Sequence, residues 1–253
     1  QIHEYASGIS AGEVLENVYG KRYGAVAAVV NGIERDMSFI LDLDCKVEAV
    51  LGESDEGLHI LRHSCAHLLA QAVVEMFPGA KPTIGPPIDH GFYYDFFMDP
   101  IGDSELKELE KRMNKIIRAN LKIEREEHDN QSLRDMFSDN KFKIEIMDDK
   151  IGDDLGSSAY RQGDFVDLCR GPHVPSTSHL RWFKLTSTSQ AYWRADRNRE
   201  PLTRIYGMCY ATKEGLKERK RQIEEAAKRD HKKIGKEMEL YMIDELIGKG
   251  LPV

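Results

Sequence analysis

The chain has 253 residues, of which 31% are charged, and its formal net charge is −7 at pH 7. This length suffices for one large domain or two smaller ones, and no apolar run approaches the roughly 18 residues of a membrane span. The acidic balance argues against a protein that coats nucleic acid indiscriminately, although a local basic patch can still contact it. Four widely spaced cysteines without a CxxC pair, and no apolar leader, favour reduced thiols and a cytoplasmic location.

The first part of the chain, residues 1–51, is predicted to be a small α+β unit. A helical "AGEVLENVYG" is followed by the β-type runs "GAVAAVVNG" and "MSFILDL", and Asn31-Gly32 is a hairpin signal. A unit of this size needs support from a neighbour. The polar, Gly-containing "GESDEG" at 52–57 indicates a linker.

Residues 55–212 alternate between helical and strand patterns without a strict βαβ repeat, which favours an α+β fold. Two helices are predicted, "LHILRHSCAHLLAQAVVEMF" and "LKELEKRMNKIIRANL". The second is amphipathic, with an apolar stripe at helical spacing formed by Leu106, Leu109, Met113, Ile116 and Ile117. The strands are predicted at "FKIEIM", "DFVDLC", "FKLTST" and "LTRIYGMCYA", with "TIGPPIDHGFYYDF" as a loop followed by a strand.

The last part, from residue 213, is predicted to be one long helix. Between residues 213 and 236 it carries ten Lys or Arg and five Asp or Glu. A solvated, salt-bridged helix is the favoured interpretation, and a contact to a nucleic-acid backbone is the alternative. Because the chain starts without Met and stops at "GLPV", we expect it to be part of a longer protein.

His63 and His67, in "HSCAH", lie one helical turn apart. At about 100° per residue they fall opposite the core stripe that contains Leu61, Cys65 and Leu68. The pair can ligate a metal, act as acid–base groups, or merely pack. Small Ala70 on the same side leaves room beside the imidazoles, which favours a site over a structural pair.

A second group of reactive side chains lies in "DFVDLCRGPH". Asp167 and Cys169 share one face of a predicted strand, and His173 follows the Gly171-Pro172 turn. Such groups are costly to bury without a purpose. Together with His63 and His67, Cys169 and His173 are four plausible tetrahedral ligands of Zn²⁺.

These two motifs, with "TIGPPIDHGFYYDF", "FKLTSTSQAYWRAD", "RIYGMCYA" and "EEAAKRDHKKIGKEMELY", resemble the N-terminal half of bacterial-type threonyl-tRNA synthetases. The resemblance implies a ubiquitin-like β-grasp (TGS) domain at 1–51, an editing domain at 55–212, and a linker helix with the start of the catalytic domain at 213–253. It also implies an editing activity that hydrolyses serine from the 3′ CCA end of mischarged tRNA(Thr). ATP would be needed only by a catalytic domain that this chain lacks.

Within that family the editing-site residues match His63, His67, Lys143, Asp167, Cys169 and His173 of this chain. Tyr94 and Tyr160 match tyrosines that line the pocket near the terminal adenosine, although either could be ordinary core. We expect Lys143 on the polar face of a strand, where it would be solvated if the resemblance were ignored. The resemblance assigns proton transfer or serine recognition to the histidines, charge stabilisation to Lys143, and the seryl ammonium to Asp167.

Metal use separates the two editing families that share this pattern. Alanyl-type editing domains are associated with zinc, whereas the threonyl type is described as working without it, so we expect no required cofactor. The alternatives are a trans-acting, zinc-dependent deacylase of the alanyl type and a module that only docks tRNA. The chain is expected to be monomeric, since the family's homodimer contacts lie largely in the catalytic domain.

Overall fold

A computed structural model describes residues 2–20, 23–149 and 158–228. Contacts within the chain divide it into two units, Gln1–Ala211 and Thr212–Val253. The predicted boundary between residues 51 and 55 is not tested by this division and stays a prediction.

The N-terminal part of the first unit, up to Leu51, combines one helix with short antiparallel strands. Its elements are β1 (Ile9–Ser10), α1 (Ala11–Tyr19), β2 (Ala25–Val30), β3 (Ile33–Arg35), β4 (Ile40–Leu41) and β5 (Val47–Leu51). Strand β2 lies between β3 and β5, and β1 pairs with β4. The predicted hairpin is confirmed, with left-handed φ values of 50° at Asn31 and 83° at Gly32. Helix α1 begins at a capping box formed by Ser10 and Glu13.

The next helix, α2 (Asp55–Met76), is the central element of the larger part of the first unit (residues 55–211). The predicted linker at 52–57 is wrong at its end, because the Ser54 side chain accepts the Gly57 N–H and starts the helix there. The end of β5 lies against the first turn of α2, since a Cβ on Gly57 would be only 1.9 Å from the Leu51 carbonyl oxygen. The two elements are therefore in direct contact rather than separated by a linker. Val26 and Val50 share one core cluster with Leu61, which gives the N-terminal part the support it was expected to need.

The larger part contains two antiparallel sheets. Its elements as far as Asp149 are β6 (Lys81–Pro82), β7 (Pro87–Ile88), β8 (Gly91–Phe97), α3 (Asp103–Ala119), β9 (Ile123–Glu127), α4 (Asn130–Met136) and α5 (Lys141–Asp149). They are followed by β10 (Ser158–Gln162), β11 (Phe165–Leu168), β12 (Trp182–Tyr192) and β13 (Pro201–Tyr210). The first sheet has the order β12-β13-β8-β6, with β7 also paired to β8, and the second has the order β11-β10-β9.

This arrangement confirms the α+β class, because helices pack on antiparallel sheets rather than alternate with parallel strands. The apolar stripe of α3 is buried as predicted, at Leu106, Leu109, Met113, Ile116 and Ile117. The ubiquitin-like topology of the N-terminal part stays a prediction.

One predicted strand is wrong. The segment "FKIEIM" lies in the helix α5, in which Phe142 and Ile146 pack in one small cluster with Trp193. Phe142 and Ile146 are four residues apart, so their spacing fits a helix as well as a strand. The Asn140 side chain accepts the Phe142 N–H at 3.2 Å and starts the helix, which decides between the two.

The second unit is described for α6 (Lys213–Lys228), and the rest of the predicted long helix lies outside the described residues. Within α6, Arg221 forms ion pairs with Glu218 and Glu225, in keeping with the salt-bridged interpretation. Among the described residues, no helix is long and apolar enough to cross a membrane.

Truncation of the fully buried Leu109 tests the core on which α3 depends. We expect Leu109→Ala to lower the free energy of unfolding by about 2–5 kcal/mol, because lost burial and a residual cavity add. Lys107→Ala, exposed on the same helix, is the matched control and should change it little. Equal urea midpoints for the two variants would contradict this packing.

Candidate active site

Three segments distant in sequence bring four potential ligand groups together. His63 and His67 come from α2, Cys169 follows β11, and His173 lies in the next loop. Their ligand atoms all lie within 4.8 Å of one another. The Cys169 Sγ lies 3.0 Å from His63 Nε2 and 3.2 Å from His173 Nε2, so the thiol sits between two imidazoles. The sequence-predicted cluster is therefore assembled in the fold.

The hairpin of β10 and β11 sets the position of Cys169. The Cys169 N–H donates to the Ser158 carbonyl oxygen at 3.2 Å, and the Ser158 hydroxyl donates to the Cys169 carbonyl oxygen at 2.6 Å. In the same hairpin Tyr160 pairs with Asp167. Since Cys169 directly follows the last residue of β11, the ladder presents it at a strand end next to α2.

Ser64 is a member of the site that sequence reasoning missed. Its hydroxyl accepts the Val174 N–H at 3.1 Å and lies 3.0 Å from His173 Nδ1. With Nδ1 at the Ser64 hydroxyl, the other ring nitrogen of His173, Nε2, faces Cys169. A serine at a fully buried helix position was the signal available, since such a hydroxyl needs a partner.

Beneath the imidazoles lies a buried ion pair. Lys143 Nζ is 2.5 Å from Asp167 Oδ1 and donates to the Tyr94 hydroxyl at 3.1 Å. The Tyr94 hydroxyl in turn donates to Asp167 Oδ2 at 2.6 Å, and His67 Nδ1 lies 3.7 Å from the same oxygen. The carboxylate therefore links the lysine to the histidine cluster.

Lys143 does not lie on the polar face of a strand, where the pattern without the resemblance would have left it solvated. The residue is only 3% exposed, because α5 turns the side chain inward toward β8 and β11 instead of presenting it on a strand face. Removing two opposite charges from water costs several kcal/mol per ion, which the ion pair must offset. An ionic group kept at that cost is a candidate for function.

The helix that carries Lys143 is held at both ends of its first two turns. Asn140 donates through Nδ2 to the Pro82 carbonyl oxygen at 2.8 Å, which ties the start of α5 to β6. One turn further on, the Glu145 carboxylate accepts hydrogen bonds from both terminal nitrogens of Arg199, at 2.7 and 2.8 Å. It also accepts one from the Trp193 indole N–H at 3.0 Å. Lys143 thus lies between two anchored points.

The two predicted tyrosines take different positions. Tyr94 belongs to the charge network, whereas the Tyr160 hydroxyl donates to Asp36 Oδ2 at 2.7 Å and its ring packs on His173. Both are nearly fully buried. Asp36 comes from the N-terminal part and had no local sequence signal that connected it to the site.

The cluster is accessible to solvent from one side only among the residues described. His63 and Cys169 are half-buried, whereas His67, His173, Asp167 and Lys143 are buried. A ligand would therefore meet His63 and Cys169 first and the charge network behind them.

Burial is the main cause of the pKa shifts of the three histidines and the cysteine in the cluster. It lowers the pKa of His63 to about 3 and that of His67 to about 4, and it moves the pKa of His173 in the same direction. For Asp167, burial raises the pKa, but the charges of Lys143 and His67 and the hydrogen bonds from Lys143 and Tyr94 lower it more. The Cys169 thiol has its pKa raised to about 12, again mainly by burial. At neutral pH the site therefore holds neutral imidazoles and a thiol beside one ion pair.

The donor set fits a zinc ion in composition and closeness. Three imidazole nitrogens and one thiol sulfur within 4.8 Å correspond to a tetrahedral Cys-His₃ set, and the Ser64 contact would orient His173 for ligation. The ammonium of Lys143 opposes a cation here, and the carboxylate of Asp167 attracts one.

The chain is similar in sequence to known proteins along most of its length. Residues 158–206, which include Asp167, Cys169 and His173, match the family described as the threonyl and alanyl tRNA synthetase second additional domain. Threonine–tRNA ligases from Rubrobacter xylanophilus, Staphylococcus carnosus and Staphylococcus aureus are each 44% identical to the chain, over 97%, 99% and 92% of it. By sequence, the chain matches the N-terminal part of threonine–tRNA ligases.

The match covers the chain but only part of those relatives. The aligned region makes up 39% of the first two ligases and 36% of the third. The chain therefore spans well under half the length of the threonine–tRNA ligases it matches.

The depressed histidine pKa values predict a pH-dependent stability. The unfolded chain takes up protons on histidine near pH 6.5, whereas the folded chain does so only near pH 3 for His63 and pH 4 for His67. The contribution of these two histidines to the free energy of unfolding should thus be fully present above about pH 6.5 and should be lost as the pH is lowered toward 4.

Urea unfolding at several pH values checks this. The double variant His63→Gln, His67→Gln should lose less stability between pH 7 and 4.5 than the wild type. His59→Gln, an exposed histidine one turn before His63, is the control and should follow the wild type. Identical pH slopes for the double variant and the wild type would contradict the assignment.

Proposed function

We propose that the chain hydrolyses the ester of serine-charged tRNA(Thr), releasing free serine and tRNA. The observation that carries this proposal is the cluster of His63, His67, Cys169 and His173 on the buried Lys143–Asp167 pair, in a chain that matches threonine–tRNA ligases. Its partner is then the 3′ CCA end of tRNA(Thr), and its place of action the cytoplasm.

The proposal has a physical reason in the substrate. Serine differs from threonine by one methyl group, and a pocket discriminates such a difference by only about 1–3 kcal/mol, or 10–200-fold. A second site that accepts and hydrolyses the smaller product supplies the missing accuracy. That site needs a positioned water, a proton acceptor, and positive charge where the carbonyl oxygen becomes anionic.

The cluster contains groups suited to each task. Neutral imidazoles accept hydrogen bonds from water, so we assign water positioning, proton transfer and contact with the serine hydroxyl to His63, His67 and His173. An imidazolium formed on His67 would be stabilised by Asp167, 3.7 Å away. Lys143 supplies positive charge for the developing oxyanion, and half-buried Cys169 and His63 form the entrance for the acyl group.

Asp167 is assigned to the seryl ammonium. Its Oδ1 accepts hydrogen bonds from Lys143 and from the Leu168 N–H, and its Oδ2 accepts the one from Tyr94. A carboxylate has about four lone-pair sites, so Oδ2 keeps one acceptor position. In this scheme Tyr94 orients Asp167, and Tyr160 supports the wall of the pocket beside His173.

The second candidate is a zinc-dependent deacylase of the alanyl type, which the four clustered donors favour. In that case His63, His67, Cys169 and His173 would hold the ion, whose chemistry would be to polarise the ester carbonyl or activate water. We propose the reaction without a required metal, because Lys143 already supplies the positive charge. A docking module without chemistry is disfavoured, since binding alone gives no reason to bury Lys143 and Asp167 beside three histidines.

Replacement of the charged and imidazole groups tests the assigned roles. We expect Lys143→Met to lower the rate of seryl-tRNA hydrolysis roughly 100-fold or more by removing charge stabilisation. Lys141→Met, exposed on the same helix, should retain the wild-type rate. Deacylation of seryl-, threonyl- and alanyl-tRNA(Thr), measured side by side, gives both the rate and the specificity.

His63→Ala is measured in parallel, because Lys143→Met also leaves the buried Asp167 without its partner. The His63 imidazole is neutral at pH 7, so its removal leaves no partner charge unpaired. A loss of about 100-fold in rate is expected for a group that handles water. His59→Ala is the control. A folded Lys143→Met or His63→Ala chain that hydrolyses seryl-tRNA at the wild-type rate would contradict the assigned roles.

Metal dependence is tested on the chain as purified. We expect substoichiometric zinc by elemental analysis and unchanged seryl-tRNA hydrolysis after treatment with a chelator. Stoichiometric zinc together with activity that is lost on chelation and restored by zinc would select the zinc-dependent deacylase instead.

A further inference from the structure

Asp36 lies in the N-terminal part, just after β3, yet both of its carboxylate oxygens bond to the candidate active site. Oδ2 accepts the Tyr160 hydroxyl at 2.7 Å, and Oδ1 accepts the backbone N–H of His173 at 2.8 Å. The partners are 124 and 137 residues away along the chain. One carboxylate thus joins a strand of the second sheet to the loop that carries His173.

The two partners of Asp36 are themselves in contact. The Tyr160 ring packs on the His173 imidazole, with centroids 4.4 Å apart and planes at 56°. The loop passes so close to the tyrosine that a Cβ on Gly171 would lie 1.8 Å from the Tyr160 hydroxyl oxygen. Gly171 has a φ of 70°, which a glycine adopts without strain. Asp36 therefore binds a tyrosine and a loop that already fit each other closely.

A guanidinium holds the same loop from another side. Arg125, on β9, donates to the Arg170 carbonyl oxygen at 2.8 Å. The loop from Arg170 to His173 is thus fixed by a cation at its start and by the carboxylate of Asp36 at its end. The His173 ring is then left to Ser64 at Nδ1 and Cys169 at Nε2.

We propose that Asp36 is a positioning residue for ester hydrolysis, which sets the backbone of His173 so that its imidazole reaches Cys169 and the substrate. This inference rests on the proposed function. It assigns the N-terminal part a role in the geometry of the site through one side chain that does not itself touch the reacting atoms. A displacement of about 1 Å in such a group can cost roughly 100-fold in rate.

The alternative is that Asp36 only fastens the N-terminal part to the larger part. Both roles predict lower stability for Asp36→Ala, so the denaturation midpoint does not separate them. A positioning role predicts a loss in the single-turnover rate constant at saturating enzyme, with the half-saturating concentration changed little. A purely structural role leaves that rate constant unchanged in the folded fraction.

The experiment uses the full chain and seryl-tRNA(Thr) in single-turnover deacylation. We expect Asp36→Ala to lower the rate constant roughly 10- to 100-fold. Asp36→Asn keeps the shape and one acceptor oxygen and should recover much of the loss. Glu34→Ala, exposed on β3 in the same part of the chain, is the matched control and should equal the wild type. Tyr160→Phe combined with Asp36→Ala should cost less than the product of the two single losses, since the residues share one interaction.

A second readout does not depend on activity. Selective ¹⁵N labelling of histidine gives the backbone amide signal of His173, identified by its absence in His173→Gln. That signal should shift in Asp36→Ala and stay in place in Glu34→Ala. An unmoved His173 signal, or an Asp36→Ala chain with the wild-type rate constant, would overturn the positioning role. A wild-type chain that hydrolyses no seryl-tRNA would instead overturn the proposed function and, with it, the catalytic part of this inference, while the NMR result still decides the contact.

Discussion

The buried ion pair between Lys143 and Asp167 is the interaction on which the rest of the site depends. Each charge has lost most of its water, so the two must lie together, and their helix and strand must be held where they meet. Asn140 and Glu145 hold α5, and the pairing of β10 with β11 holds the carboxylate. Tyr94 closes the network from β8 by bonding to both charged groups. Four elements are thus brought together by the need to satisfy two buried charges.

The histidine cluster is built on that foundation. His67 reaches the carboxylate from α2, while Cys169 extends from the same strand as Asp167 and lies between His63 and His173. Buried charge behind neutral imidazoles, of which that of His63 is partly accessible, suits a reaction in which water attacks an ester and an oxyanion forms. The same closeness of donors suits a zinc ion, which is why composition alone does not separate hydrolysis with a metal from hydrolysis without one.

Periodicity predicted much of the fold and failed where a segment was short. The long pattern of α3 placed all five of its core residues correctly. "FKIEIM" spans six residues, over which Phe142 and Ile146 fit a strand face and a helix face equally well, and the cap from Asn140 decided for the helix. Without the resemblance, this error would also have put Lys143 in solvent. "GESDEG" failed for a related reason: its polar residues form the cap and first turn of a helix rather than a linker.

The sequence by itself determined the α+β class, the turn of α2 that carries His63 and His67, and the strand that Cys169 and the loop with His173 follow. These are local properties, since helix and strand periods fix which side chains share a face. Only the tertiary structure decided that Lys143 is buried against Asp167, that Ser64 orients His173, and that Asp36 bonds to Tyr160 and His173. Those contacts join residues up to 137 positions apart, and no local pattern encodes which distant partner will satisfy a buried polar group.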